Sequence, residues 1–478
     1  MRKRADYIKK LSTMKHNVYM GGKKIEKPWE HPQIQPGINA VATTFDFAND
    51  PKYEDLMTTI SPLTGEKINR WTHLYQSRED MLKRVDALRA MCQVTGSCVG
   101  RCVGTDGLHS IGLVSYEADQ KLGTKYYQRF LDYVKFFQKN DLVAAGAVTD
   151  VKGDRDLRPH QQADPDLYLR VVEKRNDGII VNGAKNHITI APYADELIVV
   201  PTRALTKEES DWAVAFAIPA DTKGITQIAV SKAPPVKKKF ESPVSSKYAF
   251  TDSFLVFDHV FVPWERVFMC GEWQFAAQLG ALFGHYHRHS HCGCIAARGD
   301  TLMGATSLIA KYNGVSKKAH VKSKLCDLVA VAEIVYACGY TASMKGVKHP
   351  SGIYQPNYIY SNVGKFHSGT HVAHEMEIAQ DIAGGLTITM PSEEDYFNPE
   401  TQAYLQKYLK GPAEVPVEDR IRAFRLVEDL AASRYGALWM VAGIIGAGSP
   451  EAQRVAIMSG YNLEEKEKIA KKLANIEP

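Results

Sequence analysis

Of the eight cysteines in this 478-residue chain, two pairs stand out by their spacing to other ligand-type residues. Cys98 and Cys102 lie four apart in Ser97-Cys98-Val99-Gly100-Arg101-Cys102. On a helix that spacing puts both thiols on one face, about 6 Å apart along the axis. Two such thiolates can share one metal cluster, and small cysteines packed into a core fit the spacing equally well. The second segment, His285-Tyr286-His287-Arg288-His289-Ser290-His291-Cys292-Gly293-Cys294, is dense in borderline and soft ligands. His287 and Cys294 would be about 10.5 Å apart along a helix, a reach suited to opposite edges of a cluster but not to one ion. Helix-face histidines beside buried cysteines are the alternative. No other compact Cys/His set has the spacing of a zinc site.

The elements that carry these groups are legible from periodicity. Arg78 to Gln93 repeats apolar residues at helical spacing, as does Tyr126 to Lys139, and Gly21-Gly22 marks a hairpin between Val18 to Met20 and Lys23 to Ile25. From about Asp141 the pattern becomes β-like. Leu167 to Val172 and Ile179 to Val181 flank the turn Asn176-Asp177-Gly178, and runs at 196–201, 212–218, 225–230 and 254–262 follow. After Pro263-Trp264 the helical period returns, with tracts over 273–312, 321–344, 357–381 and 417–445. Ser449 and Pro450 read as the N-cap and first turn of another helix. The expected architecture is α+β: an N-terminal helical domain (1–140), a central β barrel (141–268) and a C-terminal helical bundle (269–478).

Composition narrows the function classes. The chain is 45% hydrophobic and 24% charged, and its formal charge of +5 is spread without a dense basic run, so no nucleic-acid partner is expected. The nearly uncharged stretch Gly436 to Gly448 is too short to cross a bilayer. The basic N-terminus has no apolar core and reads as an opening helix, not a signal peptide. A cytoplasmic protein without a membrane span is the expectation, and free thiols suit it.

The two ligand segments, together with Val148-Thr149-Asp150-Val151-Lys152-Gly153-Asp154-Arg155, Asp381-Ile382-Ala383-Gly384-Gly385-Leu386 and Gly446-Ala447-Gly448-Ser449-Pro450, resemble the 4-hydroxybutyryl-CoA dehydratase family over essentially the whole chain. The resemblance implies an acyl-CoA-dehydrogenase-like fold, an acyl-CoA substrate, FAD, a [4Fe-4S] cluster and a homotetramer. The family's cluster ligands fall on Cys98, Cys102, His287 and Cys294. Its flavin contacts fall on Thr149, Asp150, Lys152, Gly153, Asp154 and Arg155, on His187 and Thr189, and on Ala383, Gly384 and Gly385. The loop offers backbone donors and cationic side chains to a pyrophosphate, and the glycines allow close backbone approach. Without the family, Gly384-Gly385 is only a helix-ending turn.

Around the substrate the chain departs from the family. His291 stands where the family has a tyrosine, Ile295 a lysine, Asp252 a glutamate, Gly100 a glutamine and Ala442 a glutamate. The expected activity is a radical elimination of dehydratase type, with isomerisation as an allied outcome, on an acyl-CoA other than the family's own. His287 is the expected base, His291 the proton donor or orienting group, and Asp252 the remaining carboxylate. The competing reading is a flavin-dependent aromatic monooxygenase of the 4-hydroxyphenylacetate 3-hydroxylase type, which would leave the thiols without purpose. A subunit that binds flavin only for structure is a third.

Overall fold

Residues Ala276–Tyr312 form one 37-residue helix, about 55 Å long at 1.5 Å per residue. It buries residues around its whole circumference and so needs neighbours on every side. Arg78–Thr95, Cys102–Leu122, Ala319–Met344 and Tyr358–Ala383 supply them. Close approach depends on missing side chains: a Cβ on Gly299 would lie 2.8 Å from Ala332 Cβ, and one on Gly339 would lie 2.8 Å from Cys292 Cβ. The computed structural model describes residues 1–96, 98–236 and 238–476, so Ser97 of the cysteine motif lies outside the described residues.

The helices at Arg78–Thr95 and Tyr126–Lys139 match the periodicity. The first is capped by Ser77, whose hydroxyl accepts the Asp80 N–H at 3.1 Å, and ends at left-handed Gly96. The tract expected over 417–445 is two helices, Val417–Ala431 and Arg434–Ile445, broken at 432–433. Ser433 starts the second by accepting the Tyr435 and Gly436 N–H groups at 3.0 and 3.1 Å. Helix Cys102–Leu122 escaped the periodicity because 14 of its 21 residues are buried, three of them glycines, leaving no polar stripe to read.

A closed barrel does not form among the described residues. The β region is a six-stranded sheet and a four-stranded sheet. The larger runs in the order Lys23–Ile25, Val18–Met20, Ile225–Ser231, Thr251–Pro263, Gly178–Thr189, Arg170–Lys174. The smaller runs Val267–Cys270, Val214–Pro219, Glu196–Val199, Ala144–Ala147. Closure fails because the N-terminal hairpin takes the free edge of Ile225–Ser231, pairing Val18 with Gln227 in parallel. Asp150, three residues beyond Ala144–Ala147, bridges to Lys185 of the larger sheet.

Helix Ala319–Met344 is long and apolar enough to cross a membrane by length and composition, a feature the reading of 436–448 overlooked. In this fold it packs in the bundle against both the long helix and Tyr358–Ala383, which also pack against each other.

Candidate functional site

Three segments far apart in sequence converge on one buried point. Cys98 lies in the loop after Arg78–Thr95, and Cys102 is the first residue of the next helix, so the pair does not share a helical face. Gly100, left-handed at φ 70°, turns the chain between them and brings the thiols together. Cys102 and Cys98 are hydrogen-bonded, and this contact, more than any other, lowers the Cys98 thiol's pKa against the effect of burial. The same bond, with burial, pushes Cys102 up. Cys294, only 6% exposed on the long helix, is raised first by burial and then by the charge of Cys98. His287 offers a ring nitrogen that lies, with Cys102 Sγ and an Asp106 oxygen, in a group whose members are all within 4.8 Å of one another. Three thiols and an imidazole around one protected point are the donor chemistry of an iron-sulfur cluster, so these residues fit that group.

Asp106 went unread in the sequence, although it sits one turn after Cys102 on the same face. Its carboxylate has no exposed surface and accepts the His287 Nδ1 hydrogen at 2.8 Å and the Ser290 hydroxyl at 3.0 Å. His287 Nε2 is thereby the nitrogen left for a metal or a proton.

His291 lies one turn beyond His287, the ring centroids 6.3 Å apart and nearly perpendicular. Burial, then Lys365 and His287, hold its pKa well below the usual histidine value, so it is neutral at physiological pH, and its Nε2 is buried with no hydrogen-bond partner among the described residues. Asp252 accepts the Thr189 hydroxyl at 2.6 Å, burial raises its carboxyl, and its charge is felt at Cys98. The structure thus brings His287, His291, Asp252 and Thr189 to the neighbourhood of the thiols.

Two more cations were not legible in the sequence. Lys365 is fully buried and donates to the carbonyls of Gly443 and Ile444 at 2.8 and 3.2 Å, closing the end of Arg434–Ile445. Burial lowers its pKa to about 8. Arg288 Nε donates to the Ala447 carbonyl at 2.9 Å and Nη1 to Asn362 at 2.7 Å. Together they hold the 443–448 turn against the long helix near His291, with Ser449 capping the following helix as expected.

The segments expected at the flavin divide into two groups. Asp150 is fixed by Lys185 at 2.6 Å and by the Thr202 hydroxyl, while Lys152, Gly153, Asp154 and Arg155 extend into solvent and His187 is exposed. This loop stands near the start of the long helix, where a Cβ on Gly280 would lie 3.2 Å from the Pro201 carbonyl and from Thr202. The Ala383, Gly384 and Gly385 turn stands at the other end, where Asn313 donates to the Ile382 carbonyl at 3.5 Å. Residues 280 and 313 are about 50 Å apart along the helix. One chain does not bring these segments to a single dinucleotide.

Family models described as 4-hydroxyphenylacetate 3-hydroxylase N terminal and C terminal match residues 3–269 and 276–475. The 4-hydroxybutyryl-CoA dehydratase/vinylacetyl-CoA-Delta-isomerase of Clostridium aminobutyricum is 40% identical over 483 residues, covering 98% of each chain. The structure of an oxygen-tolerant archaeal 4-hydroxybutyryl-CoA dehydratase from N. maritimus is similar at TM-score 0.96 and 39% identity, covering 100% of this chain and 95% of that one. A crystal structure of the oxygenase component of 4-hydroxyphenylacetate 3-monooxygenase, complexed with FAD and 4-hydroxyphenylacetate, has TM-score 0.91 and 25% identity over 99% of both chains.

Proposed function

This chain belongs to the 4-hydroxybutyryl-CoA dehydratase family, within the wider 4-hydroxyphenylacetate 3-hydroxylase family, and we propose that it catalyses a dehydratase-type elimination on a short-chain acyl-CoA, using FAD and a [4Fe-4S] cluster. The observation that carries this reading is the group of Cys102, Asp106 and His287, whose ligand atoms all lie within 4.8 Å of one another, with Cys98 hydrogen-bonded to Cys102 and Cys294 close enough to feel the charge of Cys98. These four would hold the cluster. Thr149, Asp150, Lys152 to Arg155, His187 and Thr189 would hold the flavin with the Ala383 to Gly385 turn of a second copy, in a cytoplasmic homotetramer. The separation of the two flavin segments along one chain supports a shared site. When bound, the flavin supplies single-electron chemistry and the cluster a Lewis-acidic iron for a leaving hydroxyl.

The chain's own residues handle protons and position. His287 Nε2 would serve as a cluster ligand or, when not ligating, as the proton acceptor, and in that second role the carboxylate of Asp106 on its Nδ1–H stabilises the cation that forms. His291, neutral and buried, keeps one ring N–H to donate or to orient the departing group. Asp252, held by Thr189 and felt electrostatically at Cys98, would be the remaining carboxylate near the substrate.

The reading includes a changed substrate. With Ile295 and Ala442 in place of a lysine and a glutamate, opposite charges leave the pocket together, and it loses groups able to bond a hydroxyl. Losing several transition-state contacts at about 2 kcal/mol each would slow the family reaction by orders of magnitude. The test is anaerobic purification with iron, sulfide and flavin quantitation, followed by assay of 4-hydroxybutyryl-CoA and of analogues with other β or γ substituents. Weak turnover of the first and better turnover of an analogue is expected. Rapid formation of crotonyl-CoA would refute the changed substrate, and oxygen-dependent hydroxylation of a phenol would refute the elimination.

A further inference from the structure

Ile190 is a β-branched residue held in the left-handed region at φ 65°, ψ 0°, a conformation that bulky side chains adopt only when their surroundings impose it. Its surroundings do impose it. The Ile190 N–H donates to the Thr251 carbonyl at 2.9 Å, and its carbonyl accepts the Tyr193 N–H at 3.0 Å. The Tyr193 hydroxyl in turn accepts the Thr251 N–H at 3.0 Å. The side chain, 1% exposed, lies against Gly100, and a Cβ built at Gly100 would fall inside the van der Waals shell of Ile190 Cγ2 and 4.0 Å from Thr189 Cγ2. Gly100 is the residue whose N–H donates to Cys98 Sγ at 3.2 Å.

We infer that Ile190 is a positioning residue that fixes the thiol loop against the strand carrying Thr189, and thereby holds the Gly100 N–H on the sulfur of Cys98. The inference rests on the proposed function, in which Cys98 is a cluster ligand and Thr189 a flavin contact. A hydrogen bond to a ligating sulfur raises a cluster's reduction potential. A wedge that keeps the N–H in place therefore sets the cluster's electronics as well as its distance from Thr189. The same contact explains why residue 100 has no side chain here: the volume belongs to Ile190, and the backbone of residue 100 is itself left-handed.

The test uses the anaerobically purified full-length enzyme and three variants, Ile190→Ala, Ile190→Val and Gly100→Ala, with the double variant Gly100→Ala/Ile190→Ala. Expected for Ile190→Ala is about four iron per chain as in wild type, a cluster potential shifted negative, an altered electron paramagnetic resonance spectrum, and kcat at least tenfold lower with KM within about twofold. Ile190→Val, which keeps Cγ2, should restore the potential and most of kcat. Gly100→Ala should lose cluster or activity, and the double variant should recover at least about fivefold over it, a coupling expected only for side chains in contact. If Ile190→Ala lowers only the unfolding temperature, with potential, spectrum and kcat unchanged, Ile190 is ordinary packing and the inference falls. Should Ile190→Ala not fold, failure of the double variant to improve on Gly100→Ala overturns it. Wild-type protein that binds no iron would overturn the proposed function and this inference together, whereas loss of the inference alone leaves iron binding intact.

Discussion

The His287 ring is pinned by Asp106, with Nδ1 2.8 Å from a carboxylate oxygen on a residue with no exposed surface. Two helices distant in sequence are joined by this bond. It selects the tautomer and leaves Nε2 free of its proton. Asp106→Asn keeps the shape but not the charge. Iron affinity should fall about 10- to 100-fold and reconstitution should need excess iron, read as iron per chain after desalting. Full iron retention together with full activity would show that the carboxylate is dispensable.

The thiols should behave as a set. Cys98→Ala and Cys294→Ala should each lose most of the bound iron, while Cys338→Ala, on the helix beyond Cys292, should keep it. Iron and sulfide near four each per chain is the wild-type expectation. If both ligand variants retain wild-type iron, the assignment of these residues is wrong.

His291 is neutral and its Nε2 lacks a hydrogen-bond partner among the described residues, which suits a group waiting for substrate. His291→Ala should lower kcat/KM at least about tenfold, near 1.4 kcal/mol, and His287→Ala should abolish turnover. A His291→Ala enzyme of wild-type activity would return that residue to ordinary core packing.

Flavin occupancy should depend on assembly, because the Thr149 to Arg155 loop and the Ala383 to Gly385 turn stand at opposite ends of helix Ala276–Tyr312. Sedimentation at decreasing concentration should show flavin released as oligomers dissociate. A monomer with full flavin would refute the shared site.

His16 gives a pH signature remote from the catalytic groups. It is 8% exposed, lies 3.2 Å from Gln227 Nε2, and burial holds its pKa down to about 4. Above about pH 6.5 the group is neutral folded and unfolded and contributes nothing to pH dependence. As pH falls from there toward 4, only the unfolded chain takes the proton, so stability is lost, on the order of 3 kcal/mol at most. Thermal unfolding between pH 7.5 and 5 should therefore be less acid-sensitive in His16→Gln than in wild type.

The sequence by itself determined the long helix, its neighbours Arg78–Thr95, Ala319–Met344 and Tyr358–Ala383, and the strands after Asp141, because periodicity is a local property of the chain, whereas the expectation that Cys98, Cys102, His287 and Cys294 ligate a cluster comes from the family resemblance, the spacing alone fitting core packing as well. Tertiary structure alone decided the rest. The sheets stay open because a hairpin from the first 25 residues caps Ile225–Ser231, a pairing across some 200 residues that no local pattern encodes. Asp106 joins the site because two helices pack together there, beyond the cysteine spacing that the local sequence displays. Ile190 reads as one more apolar residue after a strand until its left-handed backbone and its contact with Gly100 are seen. Such contacts are set by how elements pack, and packing depends on every neighbour at once.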